Sequence, residues 1–143
     1  MDLEILTGKG VDNIQFGQSE PQVVDQLGEP DKVYELEGSK RLQYFDLQIE
    51  VAFEYERENR FGWVEVKNPN AILFGEKLIG ERADKVLSVI SAIIVDAPEH
   101  EDYGGLETYF YESHWLELQF ELNRLRSINI GVLWIDNDTP DWP

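Results

Sequence analysis

The chain of 143 residues has no cysteine, one methionine, two histidines and only 12 lysine and arginine residues. Without cysteine it can form no disulfide, which is compatible with the reducing cytosol. The few basic residues disfavour direct nucleic-acid binding, because phosphate contacts need clustered lysine and arginine. The N-terminal MDLEILTGKGVDN lacks the basic start and apolar run of a signal peptide, and no run is long enough to span a membrane. We therefore expect a cytosolic protein without a membrane segment.

Acidic residues are abundant: 29 of them against 12 basic ones give a net charge of −17. Hydrophobic residues make up 42% of the chain and aromatic residues 12%, which predicts a folded core. Folding brings the like charges together and costs stability, so the excess needs either a solubility reason or a partner reason. A basic protein partner fits this charge.

Two segments have the pattern of amphipathic helices. Ser19 and Gln22 form a possible capping box before Val23, Val24 and Leu27, and Gly28 with Pro30 stops the helix. A second, longer helix is predicted within residues 78–95, with Val86, Leu87, Ile90, Ile93 and Ile94 on its buried side. Strand-like runs occupy residues 32–36, 41–55, 61–66, 106–112, 114–122 and 126–134, whereas the acidic segment 98–105 reads as a loop.

The order of elements repeats along the chain. Val23, Val24 and Leu27 match Val86, Leu87 and Ile90 at an offset of 63, and Tyr44, Glu50, Phe53 and Glu54 match Tyr111, Glu117, Phe120 and Glu121 at an offset of 67. We therefore predict one domain over residues 1–143, with helix-plus-meander repeats at 14–66 and 77–134 and an irregular tail at 135–143. The predicted fold is α+β, a single antiparallel sheet of about six strands with two helices packed on one face and pseudo-twofold repetition.

One stretch resembles a known family. Phe16-Gly17-Gln18-Ser19, followed by Val24 and Leu27-Gly28-Glu29-Pro30, resembles the helix opening of the SmpA/OmlA-type modules. Two such modules in tandem resemble the architecture of the β-lactamase inhibitor proteins, in which helices cover one face of an antiparallel sheet. The resemblance extends over roughly residues 14 to 134, and it implies that the other sheet face is free to hold a partner.

The chain departs from these families because it has neither an export signal nor a cysteine. Activity against β-lactamase is therefore not expected. A cytosolic, acidic and cysteine-free version of this layout is similar to the immunity proteins of bacterial toxin systems. That resemblance implies a protein that binds and neutralises a cognate toxin domain, often a basic nuclease.

Strand parity predicts where such a partner binds. Leu47, Ile49, Val51, Phe53 and Tyr55 alternate with polar residues, as do Leu116, Leu118, Phe120 and Leu122. In the last strand Ile128, Ile130, Val132 and Trp134 are expected to point inward. The opposite face then carries the predicted partner-binding residues, Gln48, Glu50, Glu54, Trp63, Glu65, Trp115, Glu117, Gln119 and Glu121. Tryptophan is enriched at interface centres, and carboxylates attract basic partners. The alternative is that both tryptophans fold over the sheet edge or lie under the C-terminal tail.

No catalytic, cofactor or metal site is predicted. His100 lies among Glu99, Glu101 and Asp102, but this spacing matches no known ligand pattern. Two other functions stay open. One is a small-ligand module or enzyme with a pocket between the repeats, lined by His114, Tyr44 and Tyr111. The other is a scaffold that dimerises through the same tryptophans, so the chain is expected to be a monomer or a homodimer.

Overall fold

The computed structural model describes residues 3–143, in which the chain forms two helices and three β-sheets. The strands are β1 (Leu3–Leu6), β2 (Gly10–Val11), β3 (Ile14–Gln15), β4 (Lys32–Leu36), β5 (Ser39–Tyr44), β6 (Ile49–Glu54), β7 (Arg60–Val66), β8 (Ala71–Leu73), β9 (Glu99–Asp102), β10 (Leu106–Tyr111), β11 (Leu116–Glu121), β12 (Arg124–Gly131), β13 (Leu133–Trp134) and β14 (Pro140–Asp141). The helices are α1 (Glu20–Leu27) and α2 (Ala83–Ser91).

Eight antiparallel strands form the large sheet, in the order β4-β5-β6-β7-β12-β11-β10-β9. Each half is a four-strand meander, and the halves meet where β7 pairs with β12. The edge strands are β4 and β9. The four-stranded sheet has the order β3-β2-β1-β8, in which β1 and β8 run parallel. In a short hairpin, β13 pairs with β14, and β14 lies in the tail 135–143 that had been expected to be irregular.

One core fills the space on the inner face of the large sheet. Helix α1 lies against β7 and α2 against β12, so both helices cover the central strands. The small sheet adds its own buried residues to the same core, among them Leu3, Ile5 and Leu73. Phe16 packs its ring 4.8 Å from that of Phe61. The inner face is therefore covered by two helices and a second sheet together.

The predicted α+β fold, with about six strands and helices alone on one face, is wrong because the chain is mainly β. The run 41–55 is two strands joined by a turn, in which Gln48 has a φ of 54°. The acidic segment predicted as a loop contains β9, whose four side chains are all exposed and so show no apolar alternation. The small sheet comes from short segments that have no strand pattern long enough to recognise.

The helix ends follow the local sequence. Ser19 accepts a hydrogen bond from the backbone N–H of Gln22, whose side chain accepts one from the Ser19 N–H, so the predicted capping box is present. Gly28 ends α1 with a φ of 88°. Helix α2 is shorter than predicted and ends at Ser91, so that Ile93 is 46% exposed. Neither helix in residues 3–143 is long and apolar enough to cross a membrane.

The two meanders pair their strands in the same register. Leu42 faces Val51 in the first meander, and Tyr109 faces Leu118 at the corresponding place, 67 residues later. The pairing shifts after Ala52 in one half and after Gln119 in the other, again 67 residues apart. Positions can therefore be compared between the meanders.

Candidate protein-binding groove on the outer sheet face

The outer face of the large sheet begins at its central strands. In β7, Val64 and Val66 are fully buried on the inner face, whereas Trp63 and Glu65 between them are half-buried on the outer face. Residue alternation in a strand places neighbours on opposite faces. Val64 and Val66 therefore point inward and Trp63 and Glu65 outward, as strand alternation predicted. Trp63 lies on the face that the helices leave uncovered.

Three of the nine predicted partner-binding residues come together in one place. Glu54, Trp63 and Trp115 line a groove of about 480 Å³, which we call the first groove. The other six lie elsewhere or are held by internal contacts. Gln48 is in the turn before β6 with a φ of 54°, and together with Glu50 and Glu65 it lines a separate pocket of about 240 Å³.

Glu50 is buried and its charge is compensated inside the protein. Its carboxylate accepts hydrogen bonds from the Tyr34 hydroxyl at 2.7 Å, from Gln43 Nε2 at 2.6 Å and from the Arg41 guanidinium at 3.2 Å. Burial raises the pKa of Glu50, but these hydrogen bonds and the Arg41 charge outweigh it, so the pKa lies below its ordinary value. Burial of Tyr34 itself, together with its hydrogen bond to Glu50, raises the pKa of Tyr34 to about 12. Glu50 therefore stabilises the fold through internal contacts, and its carboxylate is not available to a partner.

Replacing Glu50 by glutamine is expected to lower the free energy of unfolding by about 1 to 3 kcal/mol near neutral pH, because Arg41 loses its anionic partner. The carboxylate stabilises the fold above its ordinary pKa near 4.5, and this contribution is lost as the pH falls through the lowered pKa. Urea denaturation of both proteins from about pH 7 to about pH 3 measures the effect. The difference should shrink with acidity, and a constant difference would show that the ionised carboxylate is not responsible.

The remaining predicted residues also have partners within the chain. Glu117 accepts hydrogen bonds from the side chains of Gln119, at 2.9 Å, and Asn129, at 3.3 Å. The side-chain oxygen of Gln119 accepts the Ser127 hydroxyl at 3.1 Å. Two further carboxylates form ion pairs, Glu65 with Lys67 at 3.5 Å and Glu121 with Arg126 at 3.1 Å. These contacts leave the four side chains less available to a partner than the sequence predicted.

Trp115 reaches the outer face through a turn. It follows the short 3-10 turn Glu112–His114 and has a φ of 43°, in the left-handed region that a bulky residue seldom adopts. Its indole lies against Gly131, where an added Cβ would come within 2.7 Å of the ring. The Phe110 ring meets it edge-on at 5.2 Å. Glycine at position 131 thus makes room for the tryptophan beside Trp63, which pairs with Gly131 across the strands.

Trp134 is a third tryptophan of the site, although strand alternation had predicted that it points into the core. Ile128, Ile130 and Val132 are buried as predicted, but Trp134 lies beyond the end of β12 in the β13–β14 hairpin and is half-buried. It lines the first groove together with Trp63 and Trp115. The end of β12 at Gly131 breaks the alternation that had predicted an inward side chain.

A second groove, of about 820 Å³, adjoins the first, and Trp115 and Trp134 line both. Acidic side chains surround the two grooves: Glu37, Glu54 and Glu56 line the first, and Asp96, Glu112, Asp136 and Asp141 line the second. Within residues 3–143, no lysine, arginine or histidine lies within 4.0 Å of any of these seven carboxylates. Most of them lie in turns or connections, where strand parity gives no information.

The tyrosines that were expected to line a pocket between the repeats are buried and not accessible to a ligand. Tyr44 and Tyr111 are only 5% and 3% exposed, and the Tyr44 hydroxyl donates to the Gly28 carbonyl at 2.9 Å. His114 lies at the 3-10 turn, edge-on to Phe74 at 6.4 Å. The other histidine, His100, stacks on Tyr109 and contacts Glu107 at 2.9 Å. In the described part of the chain, no three histidine, aspartate or glutamate side chains gather as metal ligands would.

Neither a protein-family model nor a curated protein matches the sequence. A similar solved structure is the 1.5 Å crystal structure of an extracellular protein containing a SCP domain from Bacillus anthracis str. Ames. The TM-score is 0.56 at 15% identity, and the match covers 81% of this chain and 43% of that one. At this identity the likeness shows a shared fold alone. The resemblance to the SmpA/OmlA-type modules stays a prediction.

Proposed function

We propose that this chain is an acidic binding protein that neutralises a basic protein partner by occlusion, without chemistry of its own. The single observation behind this proposal is the pair of adjoining grooves, in which three tryptophans meet beside carboxylates that form no ion pair within residues 3–143. Tryptophan supplies a large rigid contact surface, and it is the residue most enriched among binding hot spots. The grooves therefore combine aromatic contact surfaces with carboxylates that can pair with the cations of a partner.

The electrostatics favour a basic occupant over a second copy of this chain. Each copy carries a net charge of −17, so burying these grooves against each other would bring unpaired carboxylates of two acidic molecules together. Lysine and arginine side chains of a partner would instead pair with them and be steered toward the site before contact. Neutralisation would follow from coverage of the partner's active surface.

The partner that fits best is a toxin domain, and the chain is then its immunity protein. This narrower proposal rests on the similarity of a small, acidic, cysteine-free chain to such proteins, whose cognate toxins are often basic nucleases. The absence of cysteine suits a protein that meets its partner in the reducing cytosol. The net negative charge supports binding to the toxin domain rather than to its nucleic-acid substrate.

Capture from a lysate of the source cells at low salt tests the proposal with two matched variants. The groove variant carries Glu37→Gln, Glu54→Gln and Glu112→Gln. The control variant loses the same number of charges at exposed positions away from the grooves, through Asp25→Asn, Glu29→Gln and Glu76→Gln. We expect the wild type and the control variant to retain the same basic protein and the groove variant to lose it.

Equal retention by the groove variant would show that the partner binds elsewhere. Expression of the captured protein then tests the narrower proposal. A toxin domain should arrest growth when it is produced alone, and co-production of the wild-type chain should restore growth. A captured protein that is harmless when produced alone would contradict the immunity function and leave the binding site intact.

A further inference from the structure

The chain uses its own arginines to cover tryptophan rings. Arg41 lies 4.5 Å from the ring centroid of Trp63, and Arg57 lies 4.3 Å from that of Trp134. A third arginine, Arg60, lies 5.7 Å from the ring of Trp142. A guanidinium over an aromatic face gains cation–π attraction and stacks as a flat group. Three of the four tryptophans thus already have a cation.

Trp115 is the fourth tryptophan, and within residues 3–143 no lysine or arginine lies over its ring. It is half-buried in the wall shared by both grooves, between the carboxylates of the first and those of the second.

The surroundings of Arg41 show what a complete arginine site looks like in this protein. The Arg41 guanidinium stacks on Trp63 and contacts the Glu50 carboxylate at 3.2 Å. Trp115 has the aromatic part of this arrangement, with Glu54 in one groove and Glu112 in the other, but the cation is missing from the described chain. Within the chain the indole contacts Gly131 and meets the Phe110 ring at 5.2 Å, and it also lines both grooves.

We propose that Trp115 receives an arginine side chain of the partner, stacked on the indole and paired with a carboxylate of either groove. This inference rests on the proposed function and specifies its central contact. Arginine suits the site better than lysine, because its planar guanidinium can stack on the ring and donate to a carboxylate at the same time. A lysine ammonium is more strongly hydrated and offers no flat surface.

The test uses wild-type protein with ¹⁵N-labelled tryptophan and the peptide acetyl-Gly-Arg-Gly-amide at low salt. The control peptide replaces arginine by citrulline, which has nearly the same shape but no charge. The indole N–H resonance of Trp115, assigned from its loss in the Trp115→Gln variant, should shift saturably with the arginine peptide. The resonance of Trp142, which lies outside both grooves, is the internal reference and should stay in place.

We expect the citrulline peptide to bind at least about threefold more weakly than the arginine peptide. A Trp115 resonance that moves no more than that of Trp142, or equal shifts with both peptides, would overturn the arginine contact. The capture experiment is independent of this result. If the groove variant loses the partner while the peptide leaves Trp115 unmoved, the proposed function stands and only this contact fails.

Discussion

Replacing Phe61 by alanine is expected to lower the free energy of unfolding by about 3 to 5 kcal/mol, the largest effect on stability that we predict for one substitution. Phe61 is fully buried in the central strand β7. Its ring lies 4.8 Å from that of Phe16 and 6.2 Å from that of Phe53, so both neighbours would border the resulting cavity. The loss combines missing hydrophobic burial with the cost of that cavity.

Phe61 also connects the start of α1, the large sheet and the core that is shared with the small sheet. The Gly17 N–H donates to the Phe61 carbonyl and the Phe61 N–H donates to the Gln18 carbonyl, both at 2.8 Å. These bonds connect the start of α1 to the large sheet, and Phe16 belongs to the core shared with the small sheet. The cavity would therefore loosen the contact between the two sheets.

Urea denaturation followed by circular dichroism measures this effect. The matched control is Phe45→Ala, because Phe45 is 60% exposed in the turn before β6. We expect that variant to remain within about 0.5 kcal/mol of the wild type. A loss of less than about 1 kcal/mol for Phe61→Ala would mean that the sheets do not depend on this ring for their packing.

Local patterns predicted the parts of the fold that are controlled by local physics. Ser19 and Gln22 cap α1 because their spacing is that of a capping box, whatever surrounds them. Trp63 lies on the outer face because Val64 and Val66 each need burial and the strand has a period of two. These features depend on neighbouring residues, and a single sequence contains them.

A strand that has no buried side chain was not predicted. Strand β9 consists of Glu99, His100, Glu101 and Asp102, and none of these side chains is buried. Its backbone pairs with β10, and its His100 stacks on Tyr109 and contacts Glu107 of that strand. Charged side chains at a sheet edge also discourage pairing with other molecules. Hydrophobic alternation is absent from such an edge, so the segment reads as a loop in the sequence.

The acidic side of the candidate site required the three-dimensional structure. Alternation places Glu50 on the outer face, but it does not reveal that Arg41, Tyr34 and Gln43 surround the carboxylate there. Which carboxylates lack a cation depends on cross-strand register and on turns. Glu37 and Glu112 lie outside the strands, so strand alternation could not assign them to the site. The sequence feature nearest to them in the structure is Trp115, which lines the first groove with Glu37 and the second with Glu112.

Trp115 had been assigned to the outer face by counting back along β11, and the structure gives a different reason. The residue ends a 3-10 turn, and the corresponding position of the first meander is Gln48, which also has a left-handed backbone. The carbonyl of each accepts a hydrogen bond from the strand opposite, from Lys67 in one half and from Gly131 in the other. The same turn therefore carries glutamine in one meander and tryptophan beside the grooves in the other.

This correspondence supplies the substitution that tests the proposed site with the least disturbance of the fold. Trp115→Gln installs the residue that the first meander already holds in the same backbone conformation. We expect the captured partner to bind about 30-fold more weakly, the loss that accompanies removal of an interface hot spot worth about 2 kcal/mol. Urea denaturation of the variant confirms that the fold is kept.

Titration calorimetry of the purified partner against three proteins provides the decisive comparison: the wild type, Trp115→Gln, and Phe45→Ala as an exposed aromatic outside both grooves. We predict a loss of about 30-fold for Trp115→Gln and no more than about twofold for Phe45→Ala. A folded Trp115→Gln variant that binds the partner as tightly as the wild type would contradict the central claim that the tryptophan grooves are the binding site.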